Sequence, residues 1–121
     1  MAAPNIVNVS GITGKTETFA LSATVTTGLV TNPGSSNKVF KIGSIVVANV
    51  TTTTHTVTLA IDDGSNTRKI ANAISVPANA ALVVTDKNSS FYLEEGYALE
   101  GGANVASKLE ATVAYDIITD Q

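Results

Sequence analysis

The stretch Leu109-Glu-Ala-Thr-Val-Ala-Tyr-Asp-Ile117 alternates between two kinds of side chain. Every second position is apolar or aromatic, and the positions between them hold Glu110, Thr112, Ala114 and Asp116. A period of two is typical of a β-strand that buries one face and exposes the other. We therefore predict a strand over residues 108–118.

The same period recurs in other segments of strand length. It runs through Glu17–Val25 and His55–Ile61, while Val39–Val50 is more continuously apolar and predicts a central strand. Further short strands are expected at Arg68–Ser75, Leu82–Thr85, Phe91–Leu93 and Tyr97–Leu99. Because no segment shows helical periodicity, the sequence predicts an all-β protein. We expect an antiparallel β-sandwich or jelly roll of about seven or eight strands.

Turn signals separate these segments. Asp62-Asp63-Gly64-Ser65-Asn66 is the clearest hairpin, because Asp-Gly accepts a positive φ. Thr31–Asn37 predicts an exposed loop, Thr51–Thr54 a strand edge or an extended turn, and Pro77 the end of a strand. Ser10-Gly11 and Thr13-Gly14 interrupt the pattern near the start. We therefore expect residues 1–15 to be an extended arm and residues 16–121 to be one sandwich domain.

The composition indicates a protein that lies against neighbours. Of 121 residues, 44% are hydrophobic and 5% aromatic, so Val, Ile, Leu and Ala must fill the core. Charged residues make up 14%, against about 25% in typical soluble domains. The surface must therefore present Thr, Ser, Asn and Ala to solvent or be covered by a partner.

The distribution of charge excludes several kinds of partner. The formal net charge is −3 and the cations are scattered, whereas nucleic-acid binding needs them clustered. The chain after Asp86 is acidic, which fits a solvated edge or a face that attracts a basic partner. The first residues, Met1–Asn5, lack the pattern of a signal peptide, and no apolar run reaches the ~20 residues of a membrane span. We expect synthesis in the cytoplasm and no membrane partner.

The residue inventory argues against catalysis. There is one histidine and no cysteine, so nucleophile–imidazole pairs and thiolate metal sites have few possible members. His55 is in phase with the apolar positions of its strand, which predicts a half-buried, hydrogen-bonded structural residue. Three copies of His55 around a symmetry axis are the alternative.

Other candidate motifs also favour structural interpretations. Gly11–Thr16 lacks the first glycine of a phosphate-binding loop. Asp62–Asn66 lacks the ligand spacing of an EF-hand, and the adjacent carboxylates Glu94 and Glu95 point to opposite faces of an extended chain. We expect no enzyme activity, no catalytic residue, no cofactor and no metal site.

Exposed aromatic rings would favour carbohydrate binding. Phe40, Phe91, Tyr92 and Tyr97 are the candidates, and alternation places Tyr92 opposite Phe91 and Leu93. Tyr92 is therefore the residue most suited to stack on a sugar, although a tyrosine at an oligomer interface explains it equally well.

Residues 40–119 resemble small virion structural proteins of tailed bacteriophages, especially those of cyanobacteria and marine bacteria. The segments that carry the resemblance are Ile74–Ala78, Leu82–Val84, Asp86-Lys87, Phe91–Leu99 and Leu109–Ile118. Where relatives have Asp in a Glu-x-Gly-Asp-x-Leu turn, this chain has Tyr97. The resemblance implies a place in a phage particle and a structural role.

We expect a capsid decoration (cement) protein that binds the outer face of the major capsid protein lattice as a homo-oligomer, such as a trimer. The arm of residues 1–15 would add a strand to a neighbouring subunit. A neck, tail or fibre-attachment protein is the first alternative, and a carbohydrate-binding module for host adsorption is the second.

Overall fold

The computed structural model describes residues 9–25, 27–86 and 88–120, and within these ranges it contains nine β-strands and no helix. The strands are β1 Val9–Ala20, β2 Thr27–Thr31, β3 Lys38–Asn49, β4 His55–Asp62, β5 Thr67–Val76, β6 Ala81–Thr85, β7 Phe91–Leu93, β8 Ala98–Ala103 and β9 Leu109–Asp120. None of the described segments forms a helix with the length and apolar character needed to cross a membrane.

The strands form two antiparallel sheets. Sheet A has the order β1-β9-β3-β6, and β7 pairs with β3 beyond the end of β6. Sheet B has the order β2-β8-β4-β5. This arrangement confirms the predicted β-sandwich, with β3 as the predicted central strand because β9 lies on one side of it and β6 and β7 lie on the other.

The core lies between the inner faces of the two sheets. Ile42, Ile45 and Val47 of β3 are fully buried, as are Val57 and Leu59 of β4. In β9 the four inward positions are Leu109, Ala111, Val113 and Tyr115. Aliphatic side chains fill most of this space, as the low aromatic content requires.

The first strand differs from the prediction. It covers Val9–Ala20 and ends before Leu21, whereas the pattern predicted Glu17–Val25. The expected interruption at Thr13-Gly14 is wrong, because β9 pairs regularly with residues 11–20. At Ser10-Gly11 the strand also continues, but its register with β9 shifts between Val9 and Gly11. Residues 9–15 of the predicted arm therefore belong to sheet A, and residues 1–8 lie outside the described residues.

One strand, β2, was missed, which is why nine strands replace seven or eight, and another, β8, was predicted too short. Strand β2 is short, contains Gly28 and has a register shift there, so it shows no alternation. Strand β8 continues to Ala103 beyond the predicted Leu99. Gly101 and Gly102 hide its pattern, although both are buried.

The predicted turns are confirmed. At the β4–β5 hairpin, the Asp63 amide donates to the carbonyl of Asn66 (3.0 Å) and Gly64 has a φ of 92°. Between β7 and β8, the Tyr97 amide donates to the carbonyl of Glu94 (2.9 Å) and Gly96 has a φ of 83°. Glycine tolerates this backbone region at little cost.

Two buried asparagines tie the loops to the strands. The Asn32 amide nitrogen donates to the carbonyls of Lys38 (2.9 Å) and Leu93 (3.0 Å), which joins the β2–β3 loop to sheet A. The Asn49 amide nitrogen donates to the carbonyls of Thr53 (2.8 Å) and Val76 (2.9 Å), which joins β3 to sheet B. Buried polar side chains need such partners, and the hydropathy pattern did not single out either residue.

Candidate assembly surface

The outer face of sheet A is broad and carries small, mostly uncharged side chains. Pairing across the sheet aligns Thr18, Thr112, Val46 and Val83 in one row. The next row contains Ala20, Glu110, Ala48 and Ala81. The side chain of Val83 is 59% exposed, so this face places a large apolar group in solvent.

A third row on the same face contains two side chains of opposite charge and a tyrosine. It runs through Gly14, Asp116, Lys41 and Tyr92. A shallow groove of about 500 Å³ lies beside it, between β1, β9 and β3, and Gly43 is among its lining residues. The small side chains in these strands leave this space open.

The free edge of β1 carries the most exposed apolar residue of the described ranges. Ile12 is 63% exposed and pairs with Ile118 of β9. Sequence alternation did not reveal it, because the glycines at positions 11 and 14 obscure the strand. Ile12 and Val83 therefore mark the two opposite edges of sheet A.

Tyr115 of β9 pairs with Lys15 of β1, next to an ion pair on β1. Lys15 and Glu17 of β1 form an ion pair, with Nζ and Oε1 3.0 Å apart. Hydrogen bonding to Glu17 raises the pKa of the Lys15 ammonium. Burial, with a smaller contribution from the Glu17 carboxylate, raises the pKa of the Tyr115 phenol. The Lys15 and Glu17 side chains of β1 therefore act electrostatically on Tyr115 of the neighbouring strand β9.

The predicted aromatic sites divide into one exposed ring and three covered ones. Tyr92 is 43% exposed on the outer face, as alternation predicted. Phe40 is wrong as a candidate, because it is buried and stacks on Tyr115. Phe91 and Tyr97 are partly buried against the core. Only Tyr92 among these rings is available for an external contact.

His55 is more deeply buried than predicted and only partly hydrogen-bonded. Its exposed fraction is 9%. Its Nε2 atom lies 3.1 Å from the Thr53 hydroxyl, whereas its Nδ1 atom is buried and has no hydrogen-bond partner among the residues that the structure describes. Because the ring is buried, three copies of it could meet only after the surrounding residues moved.

The carboxylate candidates serve turns. The Asp62 carboxylate accepts from the Gly64 amide (2.9 Å), and that of Asp63 accepts from the amides of Ser65 (3.0 Å) and Asn66 (2.7 Å). These backbone donors lower the pKa of Asp63. Across residues 9–25, 27–86 and 88–120, no group of three or more His, Cys, Asp or Glu residues is placed to hold a metal ion.

Comparison with known proteins finds structural likeness only. No protein-family model matches the chain, and no curated protein matches it. Two crystal structures of a pentameric capsid protein isolated from metagenomic phage sequences are similar, each with 19% identity over 86% of this chain. Their TM-scores are 0.46 and 0.40, and the matches cover 63% and 60% of those chains. At such TM-scores, neither likeness defines the function of this chain.

Proposed function

We propose that this chain is a structural protein of a bacteriophage virion, and that it decorates the outer surface of the capsid. The observation that carries the proposal is the wide outer face of sheet A, where the row of Thr18, Thr112, Val46 and Val83 carries no charge and Val83 is exposed. Such a face suits contact with another protein better than permanent hydration. The virion setting follows the sequence resemblance over residues 40–119.

The proposed mechanism is mechanical. Copies of the chain associate with one another and bind the major capsid protein at many equivalent positions of the lattice. Each contact need only be weak, because simultaneous engagement of linked sites raises the effective affinity by orders of magnitude. The bound layer then clamps adjacent capsomers and resists the pressure of packaged DNA.

Copy number in the particle tests this proposal. Quantitative mass spectrometry of purified virions of the phage that encodes the chain should find it at a level comparable to the major capsid protein. A dozen copies or fewer would instead favour a neck, tail or fibre-attachment protein, which uses the same sandwich at low copy number. Absence from the particle would overturn both.

The first residues are the proposed capsid-binding arm. The test removes residues 1–8 and keeps residues 9–15, because residues 9–15 lie within β1 and their removal would damage sheet A. The shortened chain should keep the circular dichroism spectrum and melting temperature of the full chain and lose occupancy on the capsid. Full occupancy of the shortened chain would overturn the arm.

A second candidate function is carbohydrate binding during host adsorption. It is favoured by the row in which Tyr92 lies beside Lys41 and Asp116 on one open face. An aromatic ring with neighbouring charged groups can stack on a sugar and bind its hydroxyls. A glycan array should then show binding that Tyr92→Ala abolishes and Tyr92→Phe retains. An array without hits would contradict this candidate.

A further inference from the structure

The four edges of the sandwich are protected to different degrees. An open strand edge presents unpaired backbone groups, and proteins blunt such edges with charges, bulges and irregular backbone. Strand β5, at one edge of sheet B, has all three devices: it carries Arg68 and Lys69, its pairing with β4 contains register shifts, and Ala73 has a φ of 51°. Strand β2, at the other edge of sheet B, has five residues and a register shift after Gly28.

The edges of sheet A carry less of this protection. Strand β6 is as short as β2 and its pairing with β3 has one register shift, but it contains neither charge nor proline and it exposes Val83. Strand β1 is 12 residues long, its register shift is confined to the stretch between Val9 and Gly11, and its Lys15 and Glu17 neutralise each other as an ion pair. Within the part of the chain that the structure describes, no strand covers the free edge of either one. The most exposed apolar groups of both strands point to the outer face.

The directions of the edge strands are complementary. Because β1 and β3 are both antiparallel to β9, they run in the same direction. Strands β6 and β7 are antiparallel to β3 and together cover Phe40–Ala48 of it. A second copy placed beside the first in the same orientation therefore brings its β1 antiparallel to β6 and β7 of the first.

The side chains on the two edges also fit one another. When the rows of the two sheets are aligned, Thr18 of one copy lies in the same row as Val83 of the other copy. In this register Gly14 of the first copy lies in the same row as Tyr92 of the other. Gly14 has no side chain on this outer face, and a Cβ atom there would only just touch Oδ1 of Asp116, at 3.4 Å, so β1 leaves room for a ring beside it. Aromatic side chains commonly cover glycines at strand edges, and Tyr92 is placed to do so.

We propose that sheet A continues from one copy of this chain to the next, the free edge of β1 pairing antiparallel with β6 and β7 of a second copy. The contact joins two different edges, so repetition around an axis closes a ring when the rotation per copy divides a full turn. This inference deepens the homo-oligomer part of the proposed function. Its test uses the isolated chain, so its failure is distinguishable from absence in the particle.

Cysteine cross-linking tests the pairing directly, because the natural chain has no cysteine. Within one chain Thr18 and Val83 lie three strand spacings apart, about 14 Å, which is too far for a disulfide. The full-length double variant Thr18→Cys/Val83→Cys should therefore form disulfide-linked oligomers on mild oxidation. The companion variants Thr16→Cys/Val83→Cys and Ala20→Cys/Val83→Cys cover registers shifted by two residues.

The variants with one cysteine distinguish this arrangement from a two-fold dimer, in which β1 would pair with β1 or β6 with β6. Thr18→Cys alone or Val83→Cys alone should stay free of cross-links, and so should Ile70→Cys/Val83→Cys, which places a cysteine on the protected edge of sheet B. Cross-linking by a single variant would overturn the head-to-tail arrangement. The absence of cross-links in all three paired registers would overturn the contact.

Charge placed on the edge gives a second, independent measurement. Val83→Lys should raise the apparent dissociation constant of the oligomer at least about ten-fold, measured by light scattering over a dilution series. Ile70→Lys on β5 is the matched control, because Ile70 is also exposed (41%, against 59% for Val83), and it should leave the constant unchanged. Equal effects of the two variants, or a monomeric natural chain at all concentrations, would contradict the proposal. Circular dichroism checks that each variant is folded.

Discussion

Phe40 of β3 and Tyr115 of β9 stack inside the sandwich, with ring centroids 5.5 Å apart and ring planes at 23° to each other. They lie on adjacent strands but in neighbouring rows, since Phe40 pairs with Ile117 and Tyr115 with Ile42. Most of the buried core consists of aliphatic side chains, and these two rings are the largest side chains that contact each other within it. It joins the two central strands of sheet A.

Removal of one ring should destabilise the domain strongly. Phe40→Ala leaves a cavity beside Tyr115, and we expect a loss of about 3–4 kcal/mol in the free energy of unfolding. Urea denaturation measures this loss. Tyr92→Ala is the control on the outer face, with an expected change within about 0.5 kcal/mol. A cost below about 1 kcal/mol for Phe40→Ala would show that the stack contributes little.

Stability should fall at alkaline pH in a way that depends on Tyr115. The folded state raises the pKa of the Tyr115 phenol above its ordinary value of 10.0, so its contribution is present below that pH. The contribution is lost as the pH rises through the raised pKa. The contribution of Lys15 to stability is also lost as the pH rises, because the folded state raises the pKa of its ammonium group.

The variant Tyr115→Phe separates these two groups. It should show a smaller drop in melting temperature between about pH 9 and pH 11 than the natural chain, and Lys15→Met/Tyr115→Phe should show a smaller drop still. Identical pH profiles of the natural chain and Tyr115→Phe would contradict the role of the phenol.

Hydrogen-bonded and unpartnered buried groups should respond differently to replacement by leucine. Asn49→Leu removes two donors and leaves the carbonyl of Val76 without its bond, so we expect a cost of about 2–3 kcal/mol. His55→Leu removes a ring whose Nδ1 atom has no hydrogen-bond partner in the described part of the chain, and the cost should stay within about 1 kcal/mol. Chemical denaturation of both variants gives the comparison. A larger cost at His55 would indicate a partner bound to Nδ1 in solution.

Gly102 should tolerate no side chain. A Cβ atom there would lie 2.3 Å from the carbonyl oxygen of Thr24, and backbone cannot move aside as a flexible side chain can. We expect Gly102→Ala to cost at least about 2 kcal/mol. Gly11→Ala, where a Cβ meets nothing within 4 Å, is the control and should cost less than about 0.5 kcal/mol. Thermal melts measure both costs, and equal melting temperatures of the two variants would contradict this prediction.

Local pattern predicted those parts of the fold that local chemistry determines. Strands β4, β7 and β9 alternate because one face of each packs on the core, and the sequence shows that directly. The longer apolar run of β3 likewise reflects its central position in sheet A. The turn at Asp63-Gly64 was predictable because glycine permits the required φ. The absence of cysteine and the low charge likewise belong to the sequence alone.

Long-range contacts determined the rest. Gly14 reads as a break in a strand, yet β9 holds it in one, because pairing along a whole neighbouring strand outweighs the low strand propensity of one residue. The buried roles of Asn32 and Asn49 depend on carbonyls distant in sequence, such as Leu93 and Val76. Their polarity by itself predicts an exposed position.

The assembly surface shows the same division. The sequence determined an all-β domain with too little charge to cover itself and with Tyr92 facing away from the core. Only the tertiary structure decided that Tyr92 and Val83 lie at one edge of a sheet and Ile12 at the other. Strand order is set by pairings between segments up to about a hundred residues apart, such as Ile12 with Ile118, and no local pattern records which strands become edges.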